Sequence, residues 1–217
     1  MGLRIILLLC CFMTTHLQAQ EKRPNIVFVH GIFDTGLIFK KLEKELTEQG
    51  YRCFSPSLQP NDARYGVADL AKKLELMVNE KFGLKEPIII VGFSMGCLIS
   101  RYFLDRLHAS HRTKAFFAIS GPHHGTLMAY FYPGKGARDM RPSSLFLRDL
   151  DAAHPTSPSF PIYTYWTPLD LMILPASSSH WKPAQDQIVW ALLHPFMPSD
   201  GKVRSSIIEK IECMESH

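Results

Sequence analysis

Residues 88–96 read Ile88-Ile89-Ile90-Val91-Gly92-Phe93-Ser94-Met95-Gly96. Four apolar β-branched residues in a row suit a strand buried on both faces. The run breaks at a glycine, and a serine follows with a glycine two residues away on each side. Leu98, Ile99, Tyr102 and Phe103 then recur at helical spacing. The stretch is therefore G-x-S-x-G between a strand and a helix, the setting in which this motif presents a nucleophilic serine. The turn is too tight for side chains at the flanks, so both become glycine. It lifts the hydroxyl off the sheet and leaves the Met95 N–H at a helix N-terminus, where negative charge is favoured. A plain strand-to-helix turn needs neither the serine nor both glycines.

Working outward, Asn25 to His30 is a second apolar strand, and it ends in the loop His30-Gly31-Ile32-Phe33-Asp34-Thr35-Gly36. Leu37 to Gln49 reads as a helix stopped by Gly50, and Tyr51 to Phe54 as a short strand. Val67, Leu70, Ala71, Leu74 and Met77 mark a helix ending near Gly83. The helix after Ser94 runs to about Leu107, and Ala115 to Ile119 is a further buried strand. Ile162 to Trp166 and Gln187 to Trp190 are two later strands, and Val203 to Glu212 closes the chain as a helix. Buried strands alternating with amphipathic helices predict an α/β protein, a mostly parallel sheet with helices on both faces. Ligands of such sheets sit beyond the carboxyl ends of the strands.

The segment 123–160 breaks this rhythm. It carries Tyr130, Phe131, Tyr132, Leu145 and Phe146 among Pro, Gly and Ser, without a long period. A loop of that length in a compact domain is usually functional or mobile. We read it as a cap facing the substrate, with a short helix near Ser143 to Leu150; the alternative is a packed structural insertion.

Composition sets outer limits. The 217 residues are 46% hydrophobic and 20% charged, which suits one globular domain. A net charge of +4, dispersed along the chain, gives no argument for nucleic acid. Residues 1–19 hold one basic residue, Arg4, an apolar run from Ile5 to Met13 and the ending Leu17-Gln18-Ala19. That pattern is a cleavable signal peptide, too short to span a bilayer. It predicts a secreted or periplasmic protein with one domain over 20–217. Lipid attachment at Cys10 or Cys11 ranks below secretion, because Leu-Leu-Leu before Cys10 lacks the small residues of such a cleavage site. Cys53, Cys97 and Cys213 are odd in number, which argues against a disulfide framework, and Cys53 and Cys97 suit small buried hydrophobes.

A serine hydroxyl becomes a nucleophile when a base takes its proton, and the base needs a carboxylate to hold its tautomer. After Ser94, Asp170 follows the Ile162 strand directly, with Asp186 and Asp151 as alternatives. His194 follows the last strand and precedes the final helix, with His180 as its rival. Two N–H donors must meet the oxyanion, and Met95 and Ile32 are placed for it. His30 shapes the loop that carries Ile32. With Phe33, Tyr130 and Phe131 it is expected near the substrate. No metal or organic cofactor enters this chemistry.

These pieces match a family. The chain resembles secreted α/β-hydrolase lipases and esterases of the compact bacterial triacylglycerol-lipase type. The resemblance is carried by His30-Gly31-Ile32, by Gly92-Phe93-Ser94-Met95-Gly96, and by Ser120-Gly121-Pro122-His123-His124-Gly125-Thr126. Leu169-Asp170 and the His194 loop extend it, so that it spans about Pro24 to the end. It implies the α/β-hydrolase fold, a Ser94, Asp170, His194 triad, and an oxyanion hole at Ile32 and Met95. It also implies that His123 or His124 shapes the pocket floor. The expected substrate is a small-molecule ester or lipid, with transient contact to a lipid surface through the cap. The rival functions are a thioesterase or acyltransferase on the same scaffold, and a non-catalytic binding protein with a hydrolase shell.

Overall fold

The computed structural model describes residues 23–154 and 158–215. The signal segment expected at 1–19 lies outside the described residues. Six strands form one sheet: β1 (Asn25–Val29), β2 (Cys53–Phe54), β3 (Ile88–Phe93), β4 (Thr113–Ile119), β5 (Ile162–Trp166) and β6 (Gln185–Ile188). Their order is β2-β1-β3-β4-β5-β6, and every pairing is parallel. The helices are α1 (Lys40–Glu48), α2 (Val67–Phe82), α3 (Met95–Asp105), α4 (Lys135–Asp139), α5 (Leu145–Ala153) and α6 (Gly201–Glu215).

The unbroken apolar run of β3 is explained by burial on two sides. Ile88 and Ile90 pack with Leu70 and Leu74 of α2 and with Leu98 of α3. Ile89, Val91 and Phe93 point the other way, into Leu42 and Leu46 of α1 and Val203, Ile207 and Ile211 of α6. Each such side chain, fully buried, contributes about 1.5–3 kcal/mol. The chain leaves β1 toward β2 on one side and later returns to pair β3 on the other. That reversal opens a crevice at the carboxyl ends of β1 and β3, where the loops carrying Ile32 and Ser94 meet.

Some boundaries differ from the sequence reading. Gly36–Phe39 winds as a 3-10 turn, so α1 begins at Lys40. β6 is Gln185–Ile188 rather than Gln187–Trp190, because Ile188 pairs with Trp166 at the end of β5. β6 is an outer strand, and three of its four residues are exposed. Its apolar pattern therefore marked the loop after it better than the strand itself. Within the segment 123–160, the described residues 123–154 fold as a 3-10 turn at Leu127–Tyr130 followed by α4 and α5. Ser144 caps α5 by accepting the Leu147 N–H at 3.1 Å, and Leu147 and Leu150 pack into the α2–α3 side of the core.

Candidate active site

Ser94 sits between β3 and α3 at φ 53°, ψ −126°, a conformation that costs a non-glycine residue about 1–3 kcal/mol. The surroundings hold it there. Its N–H donates to the Ile119 carbonyl at 2.9 Å, and its own carbonyl accepts the Cys97 N–H at 3.0 Å. The flanking glycines serve packing. A Cβ on Gly96 would lie 2.0 Å from the Val29 carbonyl oxygen, and one on Gly92 would lie 3.0 Å from the Cys97 Cα. The first turn of α3 thus presses against the backbones of β1 and β3. The sequence reading placed the tightness in the serine turn; the structure places it where the helix crosses the strands.

Asp170 and His194 lie in the loops after β5 and β6, which Thr167 ties together by donating its hydroxyl to the Ala191 carbonyl at 3.0 Å. One Asp170 oxygen, Oδ1, accepts the N–H groups of Met172 at 2.8 Å and Ile173 at 2.9 Å. The other, Oδ2, lies 2.8 Å from His194 Nδ1. Both side chains are buried. Burial pushes the Asp170 carboxyl up, but the His194 hydrogen bond and charge and the two N–H groups together hold it below the usual carboxylate value. An ionised Asp170 accepts from Nδ1–H and leaves Nε2 as the proton acceptor. The Phe93 ring, next in the chain to Ser94, packs on the His194 ring at 4.8 Å between centroids.

The loop after β1 closes the site from the other side. His30 is fully buried, with Nδ1–H donated to the Gly31 carbonyl at 2.8 Å and Nε2 accepting the Leu58 N–H at 2.8 Å. Burial keeps its pKa below the ordinary histidine value, so the ring is a neutral brace for the loop. The Ile32 N–H has no hydrogen-bond partner among the described residues. Met95 opens α3, and an N–H in the first turn has no intrahelical carbonyl to take. Asp34 escaped the sequence reading. Its Oδ2 lies 3.3 Å from where a Gly31 Cβ would stand, and the Ser94 Cβ is 3.0 Å from that same point. Its carboxyl is pushed up by partial burial, against the charges of His30 and His194. No motif in the sequence sets it apart from other loop acids.

A cavity adjoins Ser94, lined by Ile32, Met128, Ala129, Tyr132, Met140 and Met172, among others. Of the residues expected near the substrate, Phe33 is exposed, with its ring 5.6 Å from that of Tyr132. Tyr130 and Phe131 are exposed, and Arg141 lies over the Tyr130 ring. His124 is exposed at the surface. His123 is fully buried and stacks on Trp181 at 4.7 Å. The alternative acids and base are engaged elsewhere. Asp186 pairs with His180 and accepts the Thr164 hydroxyl, and Asp151 takes the buried Arg101 guanidinium at 2.7 Å. The cavity-lining methionines carried no sequence signal, because an apolar pocket wall and a core residue look alike in one dimension.

The sequence model of a family described as alpha/beta hydrolase fold matches residues 24–140. The chain belongs to the alpha/beta hydrolase fold family. Solved structures agree with this α/β hydrolase in fold. A lipase from Bacillus licheniformis in its mature form superposes with a TM-score of 0.66 at 17% identity, covering 87% of this chain and 91% of that one. Aspergillus fumigatus lipase B gives 0.70 at 13% identity, covering 88% of this chain and 52% of that one. A thermophilic esterase from Thermogutta terrifontis gives 0.63 at 15% identity, covering 88% and 90%.

Proposed function

We propose that this α/β hydrolase is an exported serine esterase that cleaves carboxylic esters through an acyl-enzyme. The observation that carries the reading is the buried Asp170–His194 hydrogen bond at 2.8 Å, with the His194 ring packed on Phe93, next in the chain to the strained Ser94. His194 Nε2 takes the Ser94 proton as the hydroxyl oxygen attacks the ester carbonyl. Asp170 stabilises the imidazolium that forms. The carbonyl oxygen gains its negative charge against the N–H groups of Ile32 and Met95. His194 then gives its proton to the departing alcohol. Water, deprotonated by His194, attacks the acyl carbon and releases Ser94. Residues 1–19 direct the chain out of the cytoplasm to a secreted or periplasmic site, and 123–160 faces the substrate.

The test is hydrolysis of p-nitrophenyl esters by the wild type beside Ser94→Ala and His194→Ala, with a serine-directed phosphonate probe in parallel. Turnover and labelling in the wild type, both lost in Ser94→Ala, support the reading. Labelling without ester turnover moves the substrate to a thioester or to acyl transfer. No labelling overturns the enzyme reading in favour of a binding protein.

A further inference from the structure

The cavity beside Ser94 has a volume of about 30 Å³. That is room for about two waters. Its walls are Met128, Ala129 and Tyr132 in and just beyond the 3-10 turn, Met140 at the end of α4, and Met172 and Ile173 after Asp170. Methionine side chains adapt, so a small pocket lined by them is a barrier only if the backbone behind them is held. Here it is held. The Thr126 hydroxyl donates to the Met172 carbonyl at 2.8 Å and accepts the Leu174 N–H at 2.9 Å and the Met128 N–H at 3.2 Å. The Thr126 N–H donates to the Met140 carbonyl at 2.8 Å. One threonine therefore joins all three walls.

The α4 wall is also blocked from behind. The Gly136 N–H donates to the Ala63 carbonyl at 2.9 Å, and a Cβ on Gly136 would lie 2.4 Å from the Ala63 Cβ. Asp139 Oδ2 accepts the Val67 N–H at 2.9 Å and fastens α4 to the start of α2. At the mouth, the Phe33 ring lies 5.6 Å from the Tyr132 ring. With the Thr126 oxygen already engaged, the pocket lining is mostly apolar.

We infer that this pocket takes the acyl group and favours short chains over long ones, and that Met140 and Thr126 set that limit. The inference rests on the proposed ester hydrolysis and names its substrate class. Longer chains meet walls braced from behind, and overpacking against them corresponds to about a ten- to hundredfold loss in rate.

The experiment is kcat/KM for p-nitrophenyl esters from acetate to decanoate, in the wild type, Met140→Ala and Thr126→Val, with the phosphonate label as a control. Circular dichroism checks that each variant is folded. Butyrate is expected to exceed octanoate by about tenfold or more in the wild type. Met140→Ala removes three heavy atoms and is expected to move the optimum about two carbons longer. Thr126→Val removes the hydroxyl bonds to the Met172 and Met128 segments, keeps the backbone bond to Met140 and leaves the side-chain size unchanged. It is expected to flatten the profile, and it stands in if Met140→Ala does not fold. A wild-type rate that holds or rises to decanoate overturns the inference and leaves the ester reading intact, as does a profile unchanged in either folded variant. A wild type that labels but hydrolyses no ester overturns the ester reading and the inference with it.

Discussion

Asp170 divides its two carboxylate oxygens between the backbone of its own loop and the imidazole of His194, with Oδ2 2.8 Å from Nδ1. The two N–H bonds from Met172 and Ile173 fix the plane of the carboxylate. The second oxygen is thereby aimed, and the ring is held with Nδ1 as donor. Asp170→Asn keeps the shape but is able to donate to Nδ1, which selects the wrong tautomer. Ester kcat is expected to fall by about 10³–10⁴ with little change in KM. A loss under tenfold in steady-state kinetics would remove Asp170 from the catalytic role.

The Ser94 backbone stores strain that glycine would release. Ser94→Gly is expected to abolish turnover and to stabilise the fold by about 1 kcal/mol. In a domain of this size that is a rise in Tm of about 2–4 °C. A thermal melt reads the effect directly. A fall in Tm would mean that the hydroxyl contributes more to stability than the turn costs.

Gly96 and Gly201 make opposite cases for the same substitution. Gly96→Ala drives a methyl to 2.0 Å from the Val29 carbonyl oxygen, so α3 or β1 must move. The expected loss is about 3 kcal/mol or more, with little soluble protein. At Gly201, at the start of α6, a Cβ would meet nothing within 4 Å. Gly201→Ala is expected to leave the denaturation midpoint unchanged or slightly raised. Similar midpoints for the two variants would refute the close crossing of α3 over β1.

His123 should make the fold sensitive to acid. Burial, then the nearby Arg101 charge, holds its pKa well below the ordinary value, and neither ring nitrogen has a partner among the described residues. The unfolded chain therefore binds a proton below about pH 6.5 that the folded chain refuses. Stability is complete above that pH and falls as pH drops toward the folded-state value, by up to about 1.4 kcal/mol per pH unit. His123→Phe keeps the stack on Trp181 and removes the titrating group. Urea midpoints measured from pH 7.5 to 5 are expected to fall less steeply in the variant. His30, also lowered by burial, supplies a residual slope. Parallel slopes in the two proteins would show that His123 does not titrate on unfolding.

The core of the fold was legible because its cause is local. The Ile88–Val91 run and its counterparts in β1 and β4 are apolar on both faces since both faces are covered, and that shows in the order of residues alone. The strand-glycine-serine-glycine-helix succession was legible for the same reason. β6 was misplaced by two residues because an exposed outer strand imposes no burial pattern. Asp34 and Met140 were invisible as site residues, since nothing in their neighbours distinguishes them from an ordinary loop acid and an ordinary core methionine.

The sequence by itself determined the parallel sheet and the serine turn, since each depends on periodicity or on residues adjacent in the chain, and it offered Asp170 and His194 beside the alternatives Asp186, Asp151 and His180. Only the tertiary structure decided which acid and which histidine share a hydrogen bond. Asp186 takes His180 and Asp151 takes Arg101, which leaves Asp170 for His194. It also decided how much room stands beside Ser94, because the walls come from three separate segments joined at Thr126. Pairing and volume are distances between residues far apart in the chain, and such distances exist only once the backbone has closed.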